Sequence, residues 1–152
     1  MIREVVATAL ALSTALALSV RSVAATETDN GLSKVMGSID VLPRQHTGNI
    51  STVNGSIHIG SDAVVGQAGT VNGSVNVESR ATTGALNTVN GSMNVHDGVH
   101  VNGGVKTVNG SLRIDNTADV TGNVTNVNGD IRAAAAHVGG SIDTVSGNHA
   151  PG

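Results

Sequence analysis

One short phrase, Thr-Val-Asn-Gly-Ser followed by an apolar residue, recurs along this chain at a nearly constant interval. The valines of successive copies lie 18 or 19 residues apart, with some copies degenerate around the valine. A period in this range is typical of solenoids, in which each repeat is one coil that buries its apolar face against neighbouring coils. We therefore predict about six stacked coils. The valines are Val35, Val53, Val71, Val89, Val108, Val127 and Val145.

Apolar residues within one coil occur as pairs two or three residues apart, separated by polar residues. An interval of two places both members of a pair on one face of a β-strand. In the second coil the pairs are Ile57/Ile59, Ala63/Val65 and Ala68/Val71. The pattern predicts an all-β fold, a single-stranded parallel β-solenoid with three strands per coil and a triangular cross-section. All six columns of paired residues, the valine column included, are expected to face inward.

The composition suits a narrow, regular interior. The chain contains no Phe, Tyr, Trp or Cys, but it contains 20 Gly. Large aromatic side chains normally fill the irregular space of a globular core, whereas Val, Ile, Leu and Ala suffice between regularly stacked coils. Without cysteine no disulfide contributes, so stability is expected from apolar burial and backbone hydrogen bonds.

Asn-Gly pairs mark one corner of each coil. Both residue types adopt left-handed backbone conformations at little cost, and stacked Asn side chains can hydrogen-bond from coil to coil. A second set of glycines is expected to take the same conformation at another corner, where the 19-residue coils are expected to hold their additional residue as a bulge. The predicted turn ladder is Asn54, Gly55, Asn72, Gly73, Asn90, Gly91, Asn109, Gly110, Asn128 and Gly129. The second set is Gly48, Gly66, Gly84, Gly103, Gly122 and Gly140.

The hand of the coil stays open at this point, because 18 residues per coil also fits a left-handed hexapeptide helix. Such helices place a small residue two positions before each inward aliphatic residue. Here that position holds large residues such as Ile57, Val75 and Leu112. The sequence therefore favours a right-handed coil.

The first 25 residues have the organisation of a cleavable signal peptide. Arg3 precedes an Ala/Leu-rich run from Val5 to Val20, and Ala24 and Ala25 offer small residues for cleavage. The run is short for a membrane span, so we expect no span after cleavage and a secreted or periplasmic protein. The expected divisions are a signal peptide over 1–25, a polar segment over 26–33, the solenoid over 34–148 and a tail over 149–152.

The charge of the chain bears on its partners. Removal of residues 1–25 would leave six basic and ten acidic residues. A mildly acidic chain without aromatic side chains is a poor ligand for nucleic acid, so no nucleic-acid partner is expected.

The Val-Asn-Gly-Ser-Ile rungs resemble those of the adhesin β-solenoid family of exported bacterial proteins and, more distantly, those of bactofilins. The resemblance covers residues 34–148. It implies a structural, surface or assembly role and brings no catalytic residues. Bactofilins are cytosolic polymers, and the expected signal peptide departs from that pattern.

A threonine before each valine is the strongest candidate for a designed surface. These residues are expected to point outward in one column that Asn126 interrupts, as a structural ladder or as a flat hydroxyl array for ice or glycan. The residue before each threonine varies, which argues against a second matching column. The threonines are Thr52, Thr70, Thr88, Thr107 and Thr144.

Histidines raise the question of a metal site, and His96, Asp97 and His100 are close in sequence. His100 lies between inward Val99 and Val101, so these side chains need not converge, and no metal or other cofactor is expected. Enzymes on solenoids need convergent acidic or basic groups in a groove, or inserted loops. The turns here are short, so the chain is not expected to be an enzyme.

The expected function is that of an exported structural or adhesin-like element. It would act by end-to-end or edge association with other copies, or by binding a surface such as a cell-surface glycan. The alternative is a ligand-binding module that uses the threonine column, and a polysaccharide-active enzyme ranks third.

Overall fold

The computed structural model of the chain describes residues 31–151, so the expected signal peptide lies outside the described residues. Every regular element in this range is a β-strand. Pairing begins two residues before and ends three residues after the predicted limits of 34–148. The strands are β1 Leu32–Met36, β2 Ile39–Val41, β3 His46–Thr47, β4 Ile50–Asn54, β5 Ile57–Ile59, β6 Val64–Val65, β7 Ala68–Asn72, β8 Val75–Val77, β9 Thr82–Thr83, β10 Leu86–Asn90, β11 Met93–Val95, β12 His100–Val101, β13 Val105–Asn109, β14 Leu112–Ile114, β15 Asp119–Val120, β16 Val124–Asn128, β17 Ile131–Ala133, β18 His137–Val138, β19 Ile142–Ser146 and β20 His149–Pro151.

Three parallel sheets form the sides of the molecule. Sheet 1 contains the five-residue strands β1, β4, β7, β10, β13, β16 and β19. Sheet 2 contains the three-residue strands β2, β5, β8, β11, β14, β17 and β20, and sheet 3 contains the two-residue strands β3, β6, β9, β12, β15 and β18. Each strand pairs with the equivalent strands of the preceding and following coils. In β7, for example, Thr70 lies beside Thr52 of β4 and Thr88 of β10. The predicted β-solenoid of about six turns is confirmed.

The additional residue of the longer coils lies at the corner between sheet 3 and sheet 1. Thr83 pairs with Val101, whereas Leu86 pairs with Val105, so the link over 102–104 is one residue longer than its predecessor. The following coil keeps the longer link over 121–123. The predicted place of the additional residue is confirmed, and strand pairing continues in register on both sides of it.

Five of the six predicted inward columns form the core. Their second-coil members are Ile57, Ile59, Ala63, Val65 and Ala68, which are all nearly inaccessible to solvent. Complete burial of one Val or Ile side chain is worth about 1.5–3 kcal/mol, so the stack is held mainly by these columns. The sixth column, that of the valines, is not part of the core.

The Asn-Gly corner between sheet 1 and sheet 2 leaves no room for a side chain. Gly73, Gly91 and Gly110 have φ between +152° and +155°. A Cβ on Gly73 would overlap the carbonyl oxygen of Gly55 in the preceding coil. Gly91 lies against the Gly73 carbonyl in the same way. This corner therefore requires glycine for the close approach of successive backbones as well as for its φ.

Glycines at the corner between sheet 3 and sheet 1 serve a different purpose. Gly84 and Gly122 do not have positive φ, so the predicted left-handed conformation is wrong there. A Cβ on Gly84 would lie 3.0 Å from the Gly66 carbonyl oxygen, and one on Gly122 would lie 2.7 Å from the Gly104 nitrogen. Close backbone packing between coils explains these glycines.

Left-handed residues instead recur at the third corner, between sheet 2 and sheet 3. Gly98 adopts φ +68° there. Five other coils place a non-glycine residue in the same conformation, at a cost of about 1–2 kcal/mol for each residue. These residues are Arg44, Asp62, Arg80, Thr117 and Ala135, with φ between +47° and +62°.

Candidate functional site

The threonine column, which was predicted to face outward, faces inward. Thr52, Thr70, Thr88 and Thr107 are at most 4 % exposed, and Thr144 is half-buried. Because strand residues alternate between faces, Thr52 shares the inward direction of Ile50, two residues earlier, and the following valine points out. The prediction that these five threonines form an outward hydroxyl array is therefore wrong.

A hydrogen bond to the neighbouring corner explains why threonine occupies this column. The Thr70 Oγ1 donates to the Gly55 carbonyl oxygen of the preceding coil at 2.9 Å. Thr52 donates to Gly37 at 3.1 Å and Thr88 to Gly73 at 3.2 Å in the same way. Valine has no donor for these inward carbonyls, and an unpaired buried carbonyl costs about 1–3 kcal/mol.

Asn126 is the exception in the threonine column, and it leaves polar atoms unpaired. Its Nδ2 donates to the Gly110 carbonyl oxygen at 3.1 Å, as a threonine hydroxyl would. Its Oδ1 is buried without a hydrogen-bond partner, and so is the Oγ1 of Thr144, which pairs with it in the next strand. These two atoms mark a local defect in the core.

We expect Asn126→Thr to raise the free energy of unfolding by about 1–2 kcal/mol. The substituted threonine retains the donor to Gly110 and removes the unpaired Oδ1. Urea unfolding followed by far-UV circular dichroism measures the change, since the chain contains no Trp or Tyr for fluorescence. Asn87→Thr, an outward position on β10, is the matched control and should change stability less. An equal or lower stability of Asn126→Thr would contradict the interpretation.

The outer surface of sheet 1 carries the valines, and we call it the valine face. Val53, Val71 and Val89 are 38–40 % exposed, whereas Val108 and Val127 are half-buried. Sheet 1 holds six of the eight large apolar residues that are exposed among the described residues. These six are Val35, Met36, Val53, Val71, Val89 and Val145.

The predicted asparagine ladder borders this face, and it is confirmed. The Asn72 Nδ2 donates to the Asn54 Oδ1 at 2.9 Å. Asn90, Asn109 and Asn128 each repeat the bond to the preceding member at 2.9 Å. Side-chain amides thus form a continuous chain of hydrogen bonds beside the valine column, which fixes that edge of the face.

The valine face is nearly uncharged and bears a shallow groove of about 460 Å³. The lining includes Ser51, Gly69, Asn87 and Lys106, which belong to the outward column beside the valines. Lys106 and Asp143 are the two charged side chains at outward positions of sheet 1 among the described residues. A continuous column of outward valines with so little charge beside it is typical of a contact surface.

Sheet 2, sheet 3 and the corner between them carry most of the charge, as ion pairs between successive coils. The Arg80 guanidinium donates to both carboxylate oxygens of Asp62, at 2.9 and 3.0 Å. This hydrogen bond lowers the pKa of Asp62 and raises that of Arg80. Arg113 and Asp115, by contrast, pair within one coil at 2.7 Å, and this hydrogen bond raises the pKa of Arg113. Solvent reaches both pairs, so each contributes little stability.

The two histidines considered above lie next to carboxylates of the following coil. The His96 Nδ1 is 3.2 Å from the Asp115 Oδ2, and the His100 Nδ1 is 3.7 Å from the Asp119 Oδ2. Among residues 31–151 no group of three or more His, Asp or Glu side chains is placed to hold a metal ion. His96 and His100 therefore take part in two separate pairs, each with a carboxylate of the following coil.

The first coil differs from the others in the threonine column. Lys34 occupies the threonine position, and its Nζ donates to the Ser38 carbonyl oxygen at 2.6 Å. The equivalent carbonyl of the second coil, that of Ser56, accepts the Ile39 N–H of the preceding coil. At the other end β20 includes Pro151, which lacks an N–H. Lysine and proline on edge strands act against pairing with another chain, so the expected end-to-end association stays a prediction.

Comparison with protein-family models, curated proteins and solved structures gave no match to this chain. No helix in the described range is long and apolar enough to cross a membrane.

Proposed function

We propose that this chain is an exported, non-enzymatic structural or adhesin-like element that acts by surface contact through its valine face. The observation that carries the proposal is the outward valine column, which continues through every strand of sheet 1, the widest side of the solenoid. Apolar surface that remains in water is unfavourable by about 25 cal/mol per Å², so a partner that covers the column gains affinity.

The placement of the titratable groups supports a role without catalysis. His58, His96 and His100 lie on the narrow sides of the solenoid, each next to a carboxylate of the following coil. The groove on the valine face is lined by backbone, amide, hydroxyl and valine groups and by one charged residue, Lys106. Such a surface offers area for adhesion, whereas catalysis needs acids, bases or nucleophiles directed at one point.

The ends of the solenoid are less suited to contact than the valine face. Lys34 already donates to the Ser38 carbonyl, and Pro151 offers no donor. A flat contact on the side of the stack requires neither edge to be open. The proposal therefore assigns recognition to the side of the solenoid.

We expect Val71→Lys/Val89→Lys to release the exported chain from the cell envelope. Two ammonium groups at the centre of the face prevent close apolar contact, because covering them would remove their hydration. The measurement is fractionation of cells that express the full-length chain, with mass spectrometry to locate the mature N-terminus. The wild type should remain with the insoluble envelope, and the double variant should become soluble.

Val64→Lys is the matched control. Val64 lies on sheet 3 and is 37 % exposed, nearly as much as Val71 at 39 %, so the same substitution is made at equal exposure on a different side. This control should fractionate like the wild type. Envelope retention of the Val71→Lys/Val89→Lys chain, or a soluble wild type, would contradict the proposed function.

A further inference from the structure

Folding alone does not explain why the outward column of the valine face contains valine in every strand. All seven strands of sheet 1 carry valine at this outward position. The outward column two residues earlier, on the same strands, accepts polar, charged and small residues. These are Ser33, Ser51, Gly69, Asn87, Lys106, Thr125 and Asp143. The strands therefore form without an apolar residue at an outward position, and the valine column has another use.

We infer that the valine face is covered by a second copy of this chain, with the two solenoid axes antiparallel and the two valine columns in contact. The inference rests on the proposed function, since it names the partner that covers the same face in solution. The dimer must dissociate before the face contacts another surface, so the second copy and the envelope compete for it. A face with an apolar valine column, polar neighbouring columns and few charges is complementary to itself, because two copies bury valine against valine without opposing like charges.

The dimensions of sheet 1 are sufficient for such a dimer. Seven strands at about 4.8 Å spacing and five residues at about 3.3 Å give a face of about 500 Å². Two copies would therefore cover about 1,000 Å² in total, the lower limit for a specific protein interface. Sheets 2 and 3 have strands of three and two residues, and their faces are correspondingly too narrow.

The two charges on the face fix the arrangement. A two-fold axis along the strand direction through the central strand β10 places β13 opposite β7 and β19 opposite β1. Lys106 of one copy then lies over Gly69 of the other, the position in its column that has no side chain. Asp143 lies over Ser33. Neither charge meets a like charge, and the lysine has space.

Substitution of Gly69 tests this arrangement directly. A Cβ there would meet only the Asn87 carbonyl oxygen, at 3.8 Å, so a side chain is accommodated within one copy. In the dimer an aspartate would pair with Lys106 of the second copy twice, by symmetry, and a lysine would oppose it twice. We expect Gly69→Asp to lower the dissociation constant about fivefold and Gly69→Lys to raise it by a similar factor.

The experiment is sedimentation velocity with interference detection on residues 26–152, over about a hundredfold range of concentration. The wild type and Val64→Lys should shift from monomer to dimer as concentration rises. Val71→Lys/Val89→Lys should remain monomeric with an unchanged circular dichroism spectrum.

Each alternative outcome separates the two proposals. A wild type that stays monomeric, while its envelope retention still depends on the valine face, would overturn the dimer and leave the proposed function standing with another partner such as glycan. Association that survives in Val71→Lys/Val89→Lys would place the contact elsewhere, for example at the ends. Equal effects of Gly69→Asp and Gly69→Lys would overturn the antiparallel arrangement.

Discussion

Gly73→Ala is expected to lower the free energy of unfolding by about 3 kcal/mol or more, which is a large fraction of the stability of a typical domain. The added methyl group would overlap the Gly55 carbonyl oxygen, which is backbone and therefore has no rotamer by which to move away. That carbonyl also accepts the Thr70 hydroxyl, so any displacement breaks an inward hydrogen bond. Urea unfolding followed by circular dichroism measures the loss.

Gly69→Ala provides the control for this prediction within the same strand. Position 69 points outward and has open space around a Cβ, so the alanine should be tolerated or slightly stabilising. If Gly73→Ala proved as stable as Gly69→Ala, the close stacking of corner backbones would not be what requires glycine at the Asn-Gly corner.

Leu86→Ala is expected to cost about 3–5 kcal/mol. Leu86 is inaccessible to solvent in the central strand of sheet 1, between Ala68 and Val105 of the adjacent coils. Because the neighbour on one side is already an alanine, the surroundings have little side chain with which to fill the cavity. Coils contact only their neighbours, so the defect would also weaken coupling between the two halves of the stack.

The control for Leu86→Ala is Val64→Ala, which removes apolar atoms from a side chain that solvent already reaches. Its effect on the free energy of unfolding, measured by urea unfolding, should be within about 0.5 kcal/mol of zero. A loss for Leu86→Ala no larger than that would mean that the central coil does not pack as the structure shows.

Much of the architecture could be predicted from periodicity. The interval of 18 or 19 residues specified the coils, and the period of two within each coil specified five inward columns. The Asn-Gly corner was predictable because few residues other than glycine permit that close approach. Register of the longer coils followed from the position of the neighbouring glycines.

The valine face could not be predicted by hydropathy alone. Valine is more apolar than threonine, so hydropathy favours Val71 over Thr70 as a core residue. Inward and outward residues alternate from Ala68 along the strand, however, and this alternation places Thr70 inside. What hydropathy does not show is that the Gly55 carbonyl oxygen needs a hydrogen-bond donor, which Thr70 supplies. This hydrogen bond joins two coils, so it exists only when the coils are stacked. Left-handed residues such as Arg80 and Thr117 escaped prediction for a similar reason, since their own side chains do not favour that conformation.

Strand pairing in sheet 1 continues undisturbed past the longer link at 102–104. The length of this corner can therefore vary in a solenoid of this kind. The link gained one residue in the fourth coil, and later coils kept the new length without loss of register in sheet 1. This corner therefore tolerates insertion while the rest of the rung is unchanged. Peptide segments grafted between Val101 and Val105 would be displayed at the boundary of two sides, which makes the solenoid a scaffold whose decoration and length can be altered independently.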